Sequence, residues 1–180
     1  MFCLQQIRLF TFRKEGILMS GTFPARAAQK ALALFKNDLN CAESVFKALL
    51  LENGKTCPLE LLRTASAFGR GMGEAGCCCG ALVGGEMAIG FFFGRSEDVG
   101  PCPDVCAAAA KQLHDRFVSF NHGSCCRVLH RGLAYDTPEQ FKACAQRSAE
   151  AARIAAEVIL ETDSAKKTRI HVEQNSVARS

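Results

Sequence analysis

Helix-start signals recur along this chain, and no alternation of apolar and polar residues at the spacing of a strand competes with them. Thr22 precedes Pro24, a favoured first-turn residue, and apolar positions then continue to Phe35. Asn40 and Glu43 have the spacing of a capping box, opening a helix to about Glu52 with Gly54 as its stop. Pro58 opens a third helix through about Phe68. A glycine-rich connection from Gly69 to Gly76 leads into Cys77-Cys78-Cys79 and an apolar helix from Gly80 to about Phe93. Pro103-Asp104 starts another, reaching about Phe120, and Ser124 precedes a short helical turn. Thr137-Pro138-Glu139-Gln140 begins the last and longest helix, which the pattern ends near Glu161. The expectation is an all-α, single-domain bundle of about six helices, with a glycine-rich loop before a central apolar helix. The helical domain is placed at residues 22–161, with a flexible extension at 1–21 and a polar, disordered tail at 162–180.

Composition narrows the function. The chain has 180 residues, 22 Lys+Arg and 18 Asp+Glu, for a net charge of +4 that is scattered rather than gathered into a stripe, which argues against nucleic acid. Trp is absent and Tyr occurs once, leaving little for a stacking platform. Arg8 and Arg13-Lys14-Glu15 interrupt the only candidate for a secretion signal, and Met19 offers a second start that would bypass Cys3. The longest apolar run, Cys77 to Gly94, is broken by Glu86 and falls short of the roughly 20 residues of a bilayer span, so it reads as a buried core helix. The expected setting is a reducing cytoplasm. There, 11 cysteines read as metal-binding or catalytic rather than as a disulfide framework.

Periodicity places four of those cysteines. Cys41 shares a helix face with Val45, Ala48 and Leu49, and Cys144 shares one with Phe141, Ser148, Ala151, Ala155 and Val158, so both are expected to point into the core. Cys79 and Cys126 sit in the first turn of their helices, as does Cys41, while Cys144 lies in a second turn. A helix N-terminus favours thiolate over thiol, and several thiolates crowded together repel one another unless a cation neutralises them. That is the electrostatic logic of a metal or iron–sulfur site with four sulfur ligands. Cysteine is also a small hydrophobe often buried for packing alone, and the four share none of the local pairing usual in zinc knuckles.

In order along the chain, Asn40-Cys41-Ala42, Ala67-Phe68-Gly69-x-Gly71-Met72-Gly73, Cys79-Gly80-Ala81-Leu82-Val83-Gly84, Cys126-Arg127-x-Leu129 and Cys144 resemble the C_GCAxxG_C_C family of redox-active proteins. The resemblance spans about residues 24–160. It implies a small helical redox protein whose signature cysteines fall on Cys41, Cys79, Cys126 and Cys144. A related domain occurs in the split-Soret cytochromes. This chain has no C-x-x-C-H, so c-type haem is not expected, and an iron–sulfur centre is what the kinship leaves.

Three functions stay open on the residues alone. One is electron transfer or redox sensing through an iron–sulfur cluster on Cys41, Cys79, Cys126 and Cys144. Another is thiol–disulfide exchange, with Cys79 as nucleophile and Cys126 or Cys41 resolving. The third is a structural zinc site in an interaction module. A redox partner protein is implied, and self-association is left open. Cys77, Cys78 and Cys125 adjoin signature cysteines, where a bond between neighbours would be strained and easily reduced. Cys102 and Cys106 lie one helical turn apart and are placed to share a metal or exchange thiols. Cys57 has no evident partner. Gly71-x-Gly73-x-x-Gly76 matches a dinucleotide fingerprint in form only, since the preceding segment reads as helix, so no nucleotide is expected. His122 is a candidate partner for Cys126. Glu86 needs a partner if buried, with Arg127 or Arg70 in view, and no second carboxylate makes it catalytic.

Overall fold

The computed structural model describes residues 21–97, 100 and 102–177, with side chains to 168. The expectations for Cys3 and for residues 1–20 lie outside the described residues. The elements are α1 (Phe23–Lys36), α2 (Cys41–Glu52), α3 (Leu59–Arg63), α4 (Gly69–Met72), α5 (Gly80–Phe93), α6 (Asp104–Asn121), α7 (Cys126–Leu129) and α8 (Pro138–Val177). The chain is all-α, and among the described residues no helix is long and apolar enough to cross a membrane.

Local chemistry sets the starts. The Asn40 side chain accepts from the backbone N–H groups of Ala42 and Glu43, and the Glu43 carboxylate accepts from Asn40 N–H, completing the capping box of α2. Pro24 occupies the first turn of α1. α5 is the central apolar helix: Ala81, Leu82, Ala88, Ile89 and Phe93 are buried, as are Gly80, Gly84 and Gly85. It packs against α2, α6 and α8, while α1 lies across α2 and α8. Alanines make the close contacts, Ala27 and Ala31 from α1 and Ala151, Ala152, Ala155 and Ala156 from α8. Phe46, Phe117, Leu49, Leu82 and Ile159 fill the remaining core.

Four expectations are corrected. α3 stops at Arg63 and a 3-10 turn covers Ser66–Phe68; the Thr64 hydroxyl donates to Leu61 O, the local side-chain bond that competes with a continuing helix. α8 does not end near Glu161 but continues to Val177. The apolar pattern stops there, yet no Gly or Pro follows to break the helix, and an exposed helix needs none of the core for its backbone bonds. Phe141 is 47% exposed rather than buried, although its ring lies 5.0 Å from that of Phe35. Glu86 meets neither suggested arginine. Arg70 pairs with Glu74 and Asp136, and Arg127 donates to Ala75 O.

Candidate redox centre

The glycine-rich connection has a backbone that L-residues rarely adopt. Arg70, Gly71, Met72, Gly73 and Glu74 are consecutive and all have positive φ, from 51° to 73°, and Gly76 follows at 67°. Left-handed backbone disfavours each non-glycine residue by about 1–2 kcal/mol, so Arg70, Met72 and Glu74 together hold several kcal/mol of strain. Strain of this kind persists where surrounding structure imposes it, commonly at functional sites. Here the turn brings Gly71 against Cys126: a Cβ on Gly71 would lie 2.5 Å from the Cys126 Cβ and 3.0 Å from Cys77 N. The same turn aims the Arg70 N–H at the Cys41 sulfur.

After the turn, residues 76–79 run antiparallel to 124–127. Cys79 N–H donates to Ser124 O at 2.7 Å, Arg127 N–H donates to Gly76 O at 2.9 Å, and Cys126 N–H donates to Cys77 O. Cys78 and Cys125 form the bridge between them. This short pairing places Cys79 and Cys126, each at a helix start, side by side. The additional cysteines therefore lie in a backbone ladder. Cys125 Sγ donates to Gly76 O at 3.2 Å, and all ten cysteines among the described residues are free thiols.

The Cys-Gly-Ala-x-x-Gly block explains how α2 reaches this corner. A Cβ on Gly80 would stand 2.4 Å from Cys41 Sγ and 2.5 Å from Phe68 O, and one on Gly84 would stand 2.4 Å from Ala42 O. Only hydrogen at both positions lets α5 lie directly on the start of α2. Cys41, Cys79, Cys126 and Cys144 all line one cavity of about 270 Å³ at this end of the bundle. Phe35, Ala81, Phe141, Arg70, His130 and Arg147 also face it. Cys79 and Cys126 are buried, whereas Cys41 and Cys144 are half-buried. Cys41 packs against the core, as its helix face predicts, and both it and Cys144 also line the cavity.

The expected lowering of the thiol pKa values at helix starts is overturned, because desolvation outweighs the helix termini. Burial, then the neighbouring Cys79, pushes Cys41 up to about 12 despite the Arg70 N–H. Burial, then Cys79 and Cys144, pushes Cys126 up to about 11. Burial raises Cys79 against the N–H groups of Ala81 and Leu82, and raises Cys144 against the pull of Arg147. With nothing but protein around them, all four sulfurs stay protonated at neutral pH.

A histidine completes the lining, and it is His130 rather than His122. His122 caps the end of α6 in left-handed backbone. His130 Nδ1 lies 3.4 Å from Cys126 Sγ, and its Nε2 lies 3.1 Å from Cys144 Sγ. Arg147 Nη1 donates to that Nε2 at 3.0 Å, and Nη2 donates to Leu129 O at 2.5 Å. A ring accepting at Nε2 carries its proton on Nδ1, facing Cys126. Burial and then Arg147 hold the imidazole below its usual pKa, so it is neutral at pH 7. The sequence held a signal for both residues, since His130 is four after Cys126 and Arg147 three after Cys144, each one helical turn on.

Among the described residues, no three of His, Cys, Asp or Glu gather closely enough to hold a single metal ion. The thiols instead surround a space. A donor set of four sulfurs around one cavity, with Arg70 and Arg147 also lining it, fits a thiolate-bound group larger than one atom. A family model described as "Putative redox-active protein (C_GCAxxG_C_C)" matches residues 39–158. No curated protein and no solved structure matches the chain.

Proposed function

The chain belongs to the C_GCAxxG_C_C family, and from that premise we propose that it carries electrons, or senses redox state, through an iron–sulfur cluster held by Cys41, Cys79, Cys126 and Cys144. The observation that carries this reading is that these four cysteines, drawn from four separate elements, line one cavity of about 270 Å³. When bound, an iron–sulfur cluster supplies reversible one-electron chemistry. This chain's own residues would do the rest. The four thiols lose their protons to become ligands, and burial disfavours that loss unless positive charge arrives to compensate it. Arg147 and Arg70 bring fixed positive charge to the anionic sulfurs. The neutral ring of His130 offers Cys126 Sγ a hydrogen bond, the kind of contact that tunes a centre's potential. Phe35 and Phe141, their rings 5.0 Å apart, give the cavity an apolar wall.

Thiol–disulfide exchange at Cys79 and Cys126 has their adjacency in its favour. Against it, burial raises both sulfurs, and the raised pKa removes the thiolate an attacking cysteine needs. A structural zinc ion needs four sulfurs about 2.3 Å from one point, a gathering the described residues do not preform. The test is purification without oxygen, followed by an absorption spectrum with iron and acid-labile sulfide analysis. A brown protein that loses its colour on Cys41→Ser, Cys79→Ser, Cys126→Ser or Cys144→Ser is the expected result. A colourless protein with stoichiometric zinc, or with disulfides among these four, would overturn the proposal.

A further inference from the structure

The ladder that brings Cys79 and Cys126 together also sets a second pair of cysteines across from each other. Cys78 and Cys125 stand directly opposite in the antiparallel pairing. The hydrogen bonds fall on either side of them, from Cys79 N–H to Ser124 O at 2.7 Å and from Cys126 N–H to Cys77 O, so the two do not bond to each other through backbone. In an antiparallel ladder such a pair is the close one: its Cα atoms stand about 4.5 Å apart and its side chains leave on the same face. That separation lies inside the roughly 4.4–6.8 Å that a disulfide spans, at its short end. Cys125 Sγ already reaches across to the facing segment, donating to Gly76 O at 3.2 Å. The facing segment is itself pinned, since Cys77 N–H donates to Gly71 O at 3.2 Å. Alternation along the ladder puts Cys78 and Cys125 on the face away from their neighbours Cys79 and Cys126, and of these four only the neighbours line the cavity. Sequence adjacency offered bonds between chain neighbours; the fold offers one between residues that α5 and α6 separate.

We propose that Cys78 and Cys125 are a redox-active dithiol, oxidised by a small-molecule disulfide to a reversible cross-link that ties together the two segments carrying Cys79 and Cys126. Both residues are half-buried, so a small reagent can reach them while the ladder holds their backbone in place. One of the two, as thiolate, attacks a sulfur of R–S–S–R. That S–S bond breaks, a mixed disulfide forms, and R–S⁻ leaves and takes a proton from water. The other cysteine gives its proton to water and attacks the protein sulfur of the mixed disulfide, expelling the second R–S⁻, which is protonated in turn. The pair loses two electrons and two protons, and the small disulfide becomes two thiols. A bond at the short end of the allowed span is strained, and a strained bond is readily reduced again, so the link is a switch rather than a permanent staple. It uses no sulfur of the cavity and stands whether or not the cavity holds a cluster.

The bond can be read as a pair of joined peptides. Trypsin cutting after Arg70, Arg95, Arg116 and Arg127 releases residues 71–95, with Cys77, Cys78 and Cys79, and residues 117–127, with Cys125 and Cys126. Full-length protein purified without oxygen is incubated with oxidised glutathione, quenched in acid, alkylated in denaturant and digested. The expected product is the two peptides joined, two hydrogens lighter than their sum, with alkyl groups on Cys77, Cys79 and Cys126. Dithiothreitol added before the quench should return both peptides separate and fully alkylated. Cys78→Ser and Cys125→Ser should each lose the joined product and stop at a glutathione adduct on the remaining cysteine of the pair. Cys144→Ser removes a sulfur from the cavity and leaves the ladder intact, so it should form the link as readily as the unaltered protein. Loss of colour in that variant with the link retained separates failure at the cavity from failure of the dithiol. An unaltered protein that gives no joined product, or one joined through Cys79 or Cys126, would overturn the proposal, as would a link that survives Cys78→Ser.

Discussion

Two substitutions of the same kind in one helix should have opposite signs. At Gly80 an added Cβ would stand 2.4 Å from Cys41 Sγ and 2.5 Å from Phe68 O, where real contacts need more than 3 Å. One obstacle is a short side chain fixed at a helix start and the other is backbone, so neither yields without moving α2 or the strained turn. Overpacking of this order destabilises by about 1–3 kcal/mol, and Gly80→Ala is expected near the upper end. At Gly90 nothing lies within 4 Å of the added Cβ, and the residue is inside the helix, where alanine is favoured over glycine by about 1 kcal/mol. In a chain of this size 1 kcal/mol moves Tm by about 2–4 °C. Gly80→Ala should therefore melt roughly 6–12 °C lower and Gly90→Ala roughly 2–4 °C higher, read by calorimetry or by circular dichroism with urea midpoints as a check. Gly80→Ala should also retain less iron after anaerobic purification, because Cys41 is the sulfur displaced, while Gly90→Ala should retain as much as the parent. A Gly80→Ala protein as stable as the parent would refute the claim that this glycine exists for close approach.

Glu86→Gln should stabilise the protein above about pH 7 and have no effect below about pH 4.5. The folded carboxyl is pushed up to about 7 by burial, so the stability its protonated form allows is lost as pH rises between those values; urea midpoints across pH measure it. In protein free of metal, Cys41 moves from 9.0 to about 12 on folding, so ionisation of the unfolded chain withdraws about 4 kcal/mol between those pH values; Cys41→Ala should flatten that alkaline loss. Asn40→Ala removes the cap of α2 and the bond from Asn40 Nδ2 to Ser66 O, and should lower stability by about 1–2 kcal/mol in denaturant titrations. Arg147→Met withdraws positive charge from beside Cys126 and Cys144 and should make the midpoint potential of the coloured protein more negative in a spectroelectrochemical titration.

The helices that bound the centre were legible because their signals are local. The Asn40–Glu43 cap, Pro24, the Pro103-Asp104 start and the apolar run from Gly80 each act within one or two turns, where spacing is all that matters. The cysteines at helix starts were legible for the same reason, as was the use of glycines to bring Cys79 near its neighbours. Extent was harder to read. α8 runs past its apolar face because a helix end needs a breaker, and none follows Glu161.

What one dimension could not supply was the environment of each side chain. Helix-start position argues for thiolate, yet the thiols are held protonated, because the desolvation that decides the matter depends on which other elements close over them. His130 and Arg147 reach the sulfurs only because α7 and α8 face each other across the cavity, whereas His122 serves as the left-handed cap of α6 and is not among the cavity's lining residues. Spacing offers Arg70 and Arg127 to Glu86, but the packing gives both arginines other partners. Residue identity and spacing determine which chemistry a chain can carry, since propensities and caps are near-neighbour effects. Charge state and contact are sums over everything nearby in space, so they exist only once the bundle has closed.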